Sequence, residues 1–138
     1  MSVSVAMKRI LIVDDDIQLA RLIQRELQAR GFEIDIAENG IRALGFLSQM
    51  KYSVIILDLW MPELSGLELL EHLKIMNTKP VVIVITGGIV PESLDPSIVS
   101  LVMRKPLDPA HLAELCDTIA ANYGNERAGA GSNGDQTA

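Results

Sequence analysis

The sequence predicts a three-layer α/β fold in which a five-stranded parallel sheet lies between two layers of helices. Five short strand-like segments recur, three of them almost continuously apolar, and segments with helical periodicity or capping residues alternate with them. A strand that is apolar throughout is buried on both faces, as in a parallel sheet covered by helices. Alternation of strands and helices likewise favours an open parallel sheet.

The predicted strands are 10–13, 32–37, 53–57, 81–85 and 99–103. The fifth is the weakest of them. Four of them end at a polar residue.

The first helix follows the first strand. Its apolar stripe is Leu19, Leu22, Ile23 and Leu27, the spacing of one helix face. Asp16 precedes the stripe and is expected to cap the helix and favour its dipole. Gly31 is expected to end it.

Capping residues predict the other helices. Asn39 is an N-cap for a helix over about 40–50, and Ser65 with Glu68 has the spacing of a capping box. Asp108 and Pro109 begin the last helix, which is expected to run to about residue 123. The segment 87–97 contains two glycines and two prolines, so any helix there should be short or distorted.

The 138 residues fit one domain, expected over 8–124, with a ragged N-terminus over 1–7. Residues 125–138 are rich in Gly, Ala and Ser and predict a disordered tail.

Composition excludes several classes of protein. A formal net charge of −6 argues against binding nucleic acid or an anionic membrane through bulk electrostatics. The single cysteine, Cys116, allows no intrachain disulfide and fits a reducing compartment. No segment resembles a signal peptide or is long enough to span a bilayer, so we expect a cytoplasmic protein without membrane insertion.

Chemistry-bearing residues collect where strands end. Asp14 and Asp15 follow the first strand, and Asp58, Thr86 and Lys105 follow the third, fourth and fifth. Ligands of open α/β sheets bind at this edge. Clustered carboxylates favour a hard divalent cation such as Mg²⁺, and a carboxylate can also act as a nucleophile toward phosphorus.

Four motifs together resemble the receiver domain of two-component response regulators, the family of the bacterial chemotaxis regulator. They are ILIVDDD, VIILDLWMP, VVIVITGG and VMRKPLD, in that order, and the resemblance covers about 8–123. It implies a flavodoxin-like sandwich with strand order 2-1-3-4-5. It also implies signalling by protein–protein contact without turnover of a separate substrate.

The resemblance assigns a role to each site residue. Asp58 matches the phosphoacceptor, and Asp14, Asp15, Asp58 and the backbone carbonyl of Trp60 match the ligands of Mg²⁺. Thr86 and Lys105 match the hydroxyl and lysine that contact the phosphoryl group, and the family's lysine–proline peptide bond is cis. The implied phosphodonor is a sensor histidine kinase or a histidine phosphotransfer protein. The absence of a following output domain suggests a stand-alone receiver with an unknown protein target.

The sequence departs from the family in two places. Val102 stands three residues before the lysine, where an aromatic residue is usual, and the segment between Thr86 and Lys105 is short. We therefore expect a remodelled output face without the common threonine–aromatic relay. Trp60 is bulky for its position and could shield an acyl phosphate, although Gly87 and Gly88 leave room opposite.

Two alternatives remain open at this point. A small phosphatase of the haloacid-dehalogenase type would use Asp14 as its nucleophile and leave Asp58 without a role. A receiver fold acting without phosphorylation would instead keep its activity in an Asp58→Asn protein.

Overall fold

Five parallel strands form one sheet in the order β2-β1-β3-β4-β5, as the sequence predicts. A computed structural model of the protein describes residues 9–77 and 79–122. The strands are β1 (Arg9–Val13), β2 (Glu33–Ala37), β3 (Val54–Asp58), β4 (Val81–Thr86) and β5 (Val99–Arg104). Because β1 and β3 are neighbours, the strand order reverses beside β1, and a crevice opens where their carboxyl ends diverge.

Helices cover both faces of the sheet. Alternate side chains of the central strands point to opposite faces, so neighbouring residues such as Ile10 and Leu11 belong to different core clusters. Helix α1 (Ile17–Gln28) and the last helix, 109–122, pack on one face. Helices α2 (Gly40–Gln49) and α3 (Gly66–Lys74) pack on the other.

The predicted caps are present. Asp16 accepts a hydrogen bond from the Leu19 backbone N–H at 3.2 Å, and Asn39 accepts one from Arg42 at 2.7 Å. Ser65 and Glu68 form the reciprocal capping box. Asp108 likewise accepts a hydrogen bond, from Ala110 N–H at 3.0 Å. Helix α1 ends at Gln28, slightly before Gly31, which has a left-handed φ of 94°.

The segment between β4 and β5 contains turns but no helix. The sequence predicted that any helix here would be short or distorted, and the structure departs further, since no helix forms in this described segment. Prolines remove backbone donors, and Asp95 accepts hydrogen bonds from both the backbone N–H and the hydroxyl of Ser97, which favours a turn. Leu94 and Ile98 pack against the core on the face of the sheet that α2 and α3 cover.

Edge strand β5 is poorly covered as a result. Leu101 and Val102 remain 37% and 38% exposed, whereas β3 is buried along its whole length. On the predicted output face, the structure therefore has exposed apolar side chains of β5 and, in the described segment between β4 and β5, no helix.

Several predictions fall outside the described residues. These are the ragged segment 1–7, the end of the last helix near 123 and the tail 125–138. Within 9–77 and 79–122, no helix has the length and apolar character needed to cross a membrane.

Candidate functional site

The residues that end four neighbouring strands meet at one edge of the sheet. Asp14 directly follows β1, Asp58 ends β3, Thr86 ends β4 and Lys105 directly follows β5. Asp14 and Thr86 are fully buried, and Asp58 is 5% exposed. Buried polar side chains at the carboxyl edge of a parallel sheet are typical of a ligand site.

Three carboxylates form an acidic cluster, consisting of Asp14, Asp15 and Asp58. One oxygen of each lies within 4.8 Å of the others. Repulsion between carboxylates at this distance favours either protonation or a bound cation. The cluster therefore requires positive charge nearby.

Asp14 is hydrogen-bonded to the backbone and is costly to ionise. Its Oδ1 accepts a hydrogen bond from the Asp16 backbone N–H at 2.9 Å. Its Oδ2 is buried and faces Lys105 Nζ at 2.9 Å. Burial raises the pKa of Asp14 to about 6, although the Asp16 N–H and Lys105 oppose the shift.

Lys105 supplies one positive charge to the cluster. Its Nζ lies 2.9 Å from Asp14 Oδ2 and 3.4 Å from Asp58 Oδ2. Burial alone would lower the pKa of Lys105, but hydrogen bonding to Asp14 and the charges of both carboxylates raise it above its ordinary value. The Lys105–Pro106 peptide bond is cis, as expected, and Lys105 N–H donates to the Thr86 carbonyl at 2.9 Å.

The donor set fits a magnesium ion. Oxygen ligands from one or two carboxylates, completed by water and phosphate oxygens, are the usual environment of Mg²⁺. The three carboxylates outnumber the single lysine that contacts them. A divalent cation would offset the remaining negative charge.

A cleft of about 610 Å³ opens beside the cluster. Its lining residues are Asp58, Trp60, Thr86, Gly87, Gly88, Ile89 and Lys105. Asp14 does not line this cleft, so Asp58 is the buried carboxylate that an entering molecule can reach.

Trp60 forms one wall of the cleft and is 44% exposed. Its backbone N–H donates to Asp58 Oδ1 at 3.3 Å, and its indole N–H donates to the Ile89 carbonyl at 2.8 Å. The indole therefore lies against the loop that follows β4.

The structure thus brings together all the residues singled out from the sequence. Their proposed roles stay predictions. Sequence reasoning missed Arg104, whose guanidinium donates to the Gly88 carbonyl at 2.7 Å. An arginine beside a lysine reads as surface charge in a sequence, and its partner is a backbone atom, so no side-chain pattern could reveal the contact.

Comparison with known proteins identifies the family. Residues 10–117 match the model of the response regulator receiver domain. The chain belongs to this family. Receiver domains take part in two-component signal transduction, bind Mg²⁺ at an acidic pocket and interact with histidine kinases and downstream effectors. They are generally not turnover enzymes.

Curated relatives match this chain over part of a longer protein. The CpxR homolog of Haemophilus influenzae, a transcriptional regulatory protein, is 37% identical over 59% of this chain and 36% of its own length. The probable transcriptional regulator ycf29 of Pyropia yezoensis is 30% identical over 82% of this chain and 53% of its own length. The chain spans about half, or less, of these relatives.

Solved receiver structures superpose along most of the chain. A CheY-like receiver domain protein from Methanospirillum hungatei has a TM-score of 0.77 at 28% identity, covering 86% of this chain and 98% of the other. The response regulator TrrA of Thermotoga maritima, solved in complex with Mg²⁺ and BeF, has a TM-score of 0.71 at 33% identity. That match covers 80% of this chain and 97% of the other.

Proposed function

We propose that this receiver domain accepts a phosphoryl group on Asp58 in a magnesium-dependent reaction. The observation that carries the proposal is the placement of Asp58, which belongs to the acidic cluster and also lines the open cleft. Asp14 belongs to the cluster alone, which argues against the phosphatase reading in which Asp14 is the nucleophile.

Asp14, Asp15, Asp58 and the backbone carbonyl of Trp60 would hold the ion in this proposal. When bound, Mg²⁺ would offset the negative charge of the cluster and of the phosphoryl oxygens. The complex of the Thermotoga relative with Mg²⁺ and BeF supports the same ligand class here.

The chain's own side chains have distinct tasks in phosphoryl transfer. An Asp58 carboxylate oxygen attacks phosphorus, the bond from phosphorus to the donor atom breaks, and the donor leaves with that electron pair. Lys105 lies within 3.4 Å of both Asp14 and Asp58, so its ammonium group can exchange a carboxylate for a phosphoryl oxygen. Thr86 Oγ1 accepts a hydrogen bond from Gly88 N–H at 3.1 Å, which leaves the hydroxyl hydrogen free to donate into the cleft.

The physiological phosphodonor in this proposal is a phosphohistidine of a sensor histidine kinase or a histidine phosphotransfer protein in the cytoplasm. The domain would then signal by protein–protein contact. A net charge of −6 makes direct binding to nucleic acid unfavourable. Because Val102 replaces an aromatic residue and no helix lies between β4 and β5, the common threonine–aromatic relay should not operate.

Intact-protein mass after incubation with acetyl phosphate, with and without Mg²⁺, tests the proposal. We expect one phosphoryl adduct that requires Mg²⁺ and disappears in Asp58→Asn, while Asp14→Asn, which removes one proposed ligand, forms it more slowly. An adduct retained in Asp58→Asn and lost in Asp14→Asn would revive the phosphatase reading. The absence of any adduct would favour a receiver fold that acts without phosphorylation.

A further inference from the structure

The loop that follows β4 is held at its backbone by side chains from two other parts of the chain. This loop, Gly87–Ile89, directly follows Thr86 and lines the cleft. Arg104 at the end of β5 donates to the Gly88 carbonyl at 2.7 Å, and the Trp60 indole donates to the Ile89 carbonyl at 2.8 Å. Both donors bind main-chain oxygens, so they restrain the path of the loop itself.

The indole of Trp60 also packs directly on Gly88. A Cβ atom added at Gly88 would lie 2.5 Å from Trp60 Cδ1 and 2.8 Å from Nε1, well below ordinary contact. Glycine is therefore required for the indole to reach the Ile89 carbonyl. Two consecutive glycines also leave the loop with few conformational restraints of its own, which makes the external donors more important.

The same loop controls the Thr86 hydroxyl. Gly88 N–H donates to Thr86 Oγ1 at 3.1 Å, while the carbonyl of the same residue is held by Arg104. A hydroxyl that accepts at its oxygen must direct its hydrogen elsewhere. Thr86 is fully buried and shares the cleft with Asp58, so the orientation of this hydrogen depends on where Gly88 lies.

We propose that Arg104 and Trp60 are positioning residues that fix the Gly88 backbone and thereby orient the Thr86 hydroxyl toward a phosphoryl group on Asp58. This inference rests on the proposed function of Asp58. In the described structure no helix lies between this loop and β5, so Arg104 of β5 and Trp60, two residues after β3, take that task.

The reaction used to test the proposal is phosphorylation by acetyl phosphate. An Asp58 carboxylate oxygen bonds to phosphorus, the bond between phosphorus and the acetyl oxygen breaks, and acetate leaves with the electron pair. Removal of a complete transition-state donor typically costs 10²–10³ in rate. Misorientation of the Thr86 hydroxyl should cost a fraction of this, and we expect Arg104→Met to react about tenfold more slowly.

Two conservative variants and a matched control sharpen the measurement. Arg104→Lys retains a charged donor and should recover part of the rate. Trp60→Phe retains an aromatic ring over Gly88 but loses the indole donor, so it should react more slowly than wild type. Arg25→Met removes an exposed arginine from α1, far along the chain from the loop, and should match wild type.

A double-mutant cycle separates positioning from a general structural effect. Thr86→Val removes the hydroxyl at nearly constant shape. If Arg104 acts through this hydroxyl, Arg104→Met should add no further loss in the Thr86→Val background. An equal tenfold loss in both backgrounds would overturn the proposal.

Fluorescence provides a readout that needs no phosphorylation. The chain has one tryptophan, so acrylamide quenching reports Trp60 alone. Arg104→Met should increase quenching because the loop is released, and Arg25→Met should not. Unchanged quenching together with an unchanged rate would refute positioning by Arg104 while the wild-type adduct still supports the proposed function. Failure of wild type to form any adduct would overturn both proposals.

Discussion

Replacement of Gly66 by alanine should damage both the fold and the site, because the first residue of α3 touches the backbone of the proposed phosphoacceptor. A Cβ atom at Gly66 would lie 2.3 Å from the Asp58 carbonyl oxygen and 2.7 Å from the Leu59 Cα. The first distance is about 1 Å short of the 3.4 Å at which ordinary contact begins. Gly66 N–H also donates to the Leu59 carbonyl at 2.9 Å, so the helix cannot retreat without loss of that bond.

Overpacking against rigid backbone costs about 1–3 kcal/mol, and both partners here are main-chain atoms that cannot rotate away. We expect Gly66→Ala to lower the free energy of unfolding by an amount in this range. Displacement of Asp58 by a fraction of an ångström should also slow phosphorylation by acetyl phosphate about tenfold or more, since reacting groups tolerate little misplacement.

Chemical denaturation followed by circular dichroism measures the first effect, and intact-mass kinetics measure the second. Gly45→Ala is the matched control, because a Cβ atom there meets nothing within 4 Å and the residue lies within α2. Alanine at that helical position should raise stability by about 0.5–1 kcal/mol. If Gly66→Ala and Gly45→Ala shifted stability in the same direction, the close approach to Asp58 would not be the constraint described.

Three further changes test separate features. Without Mg²⁺, Asp14→Asn should be more stable than wild type by about 1–2 kcal/mol after allowance for solvent screening. The pKa of Asp14 in the folded protein is raised to about 6 from 3.8. The stability gain of Asp14→Asn over wild type should therefore grow as pH rises from 3.8 to about 6 and stay constant at higher pH. A gain that does not change with pH in urea titrations over this range would contradict the prediction. Tyr52→Phe removes a 2.6 Å hydrogen bond to Asp35 and should cost about 1 kcal/mol at neutral pH. Burial and this bond raise the pKa of Tyr52, so the cost should shrink in melts recorded above pH 10, where wild type loses the contribution of the neutral phenol. Glu63 has a left-handed φ of 64°, which glycine adopts at lower cost than glutamate. Glu63→Gly should therefore raise the free energy of unfolding by about 0.5–1 kcal/mol in urea titrations. An unchanged free energy of unfolding would show that the backbone at Glu63 is not strained.

Local signals in the sequence were sufficient for the sheet and most helix starts. Strand β3 is apolar along Val54–Leu57 and is buried throughout. It lies between β1 and β4 and contributes to the core on both faces of the sheet, so its apolar run and its position agree. Caps such as Ser65 and Glu68 act within one turn, so their spacing alone identifies them.

The convergence of Asp14, Asp58 and Lys105 was also predictable, since parallel strands bring their carboxyl ends to one edge. Contacts between side chains and the backbone of a loop were not predictable. The position of the Gly88 carbonyl depends on how 87–98 folds without a helix, and no residue pattern encodes that path. The contact between Arg104 and this loop therefore follows from the loop conformation and not from the sequence pattern.

The site opposes the stability of the domain that carries it. Asp14 is fully buried in an acidic cluster, and the raised pKa of its carboxyl measures the cost of keeping it ionised there. The surrounding strands are apolar and fully buried, and their packing offsets this cost. Lys105 offsets only part of the negative charge of the acidic cluster. The cluster therefore remains short of positive charge until a cation binds. The same excess of negative charge that destabilises the isolated domain therefore favours cation binding, and a variant that reduces it, such as Asp14→Asn, should be more stable and bind Mg²⁺ less tightly.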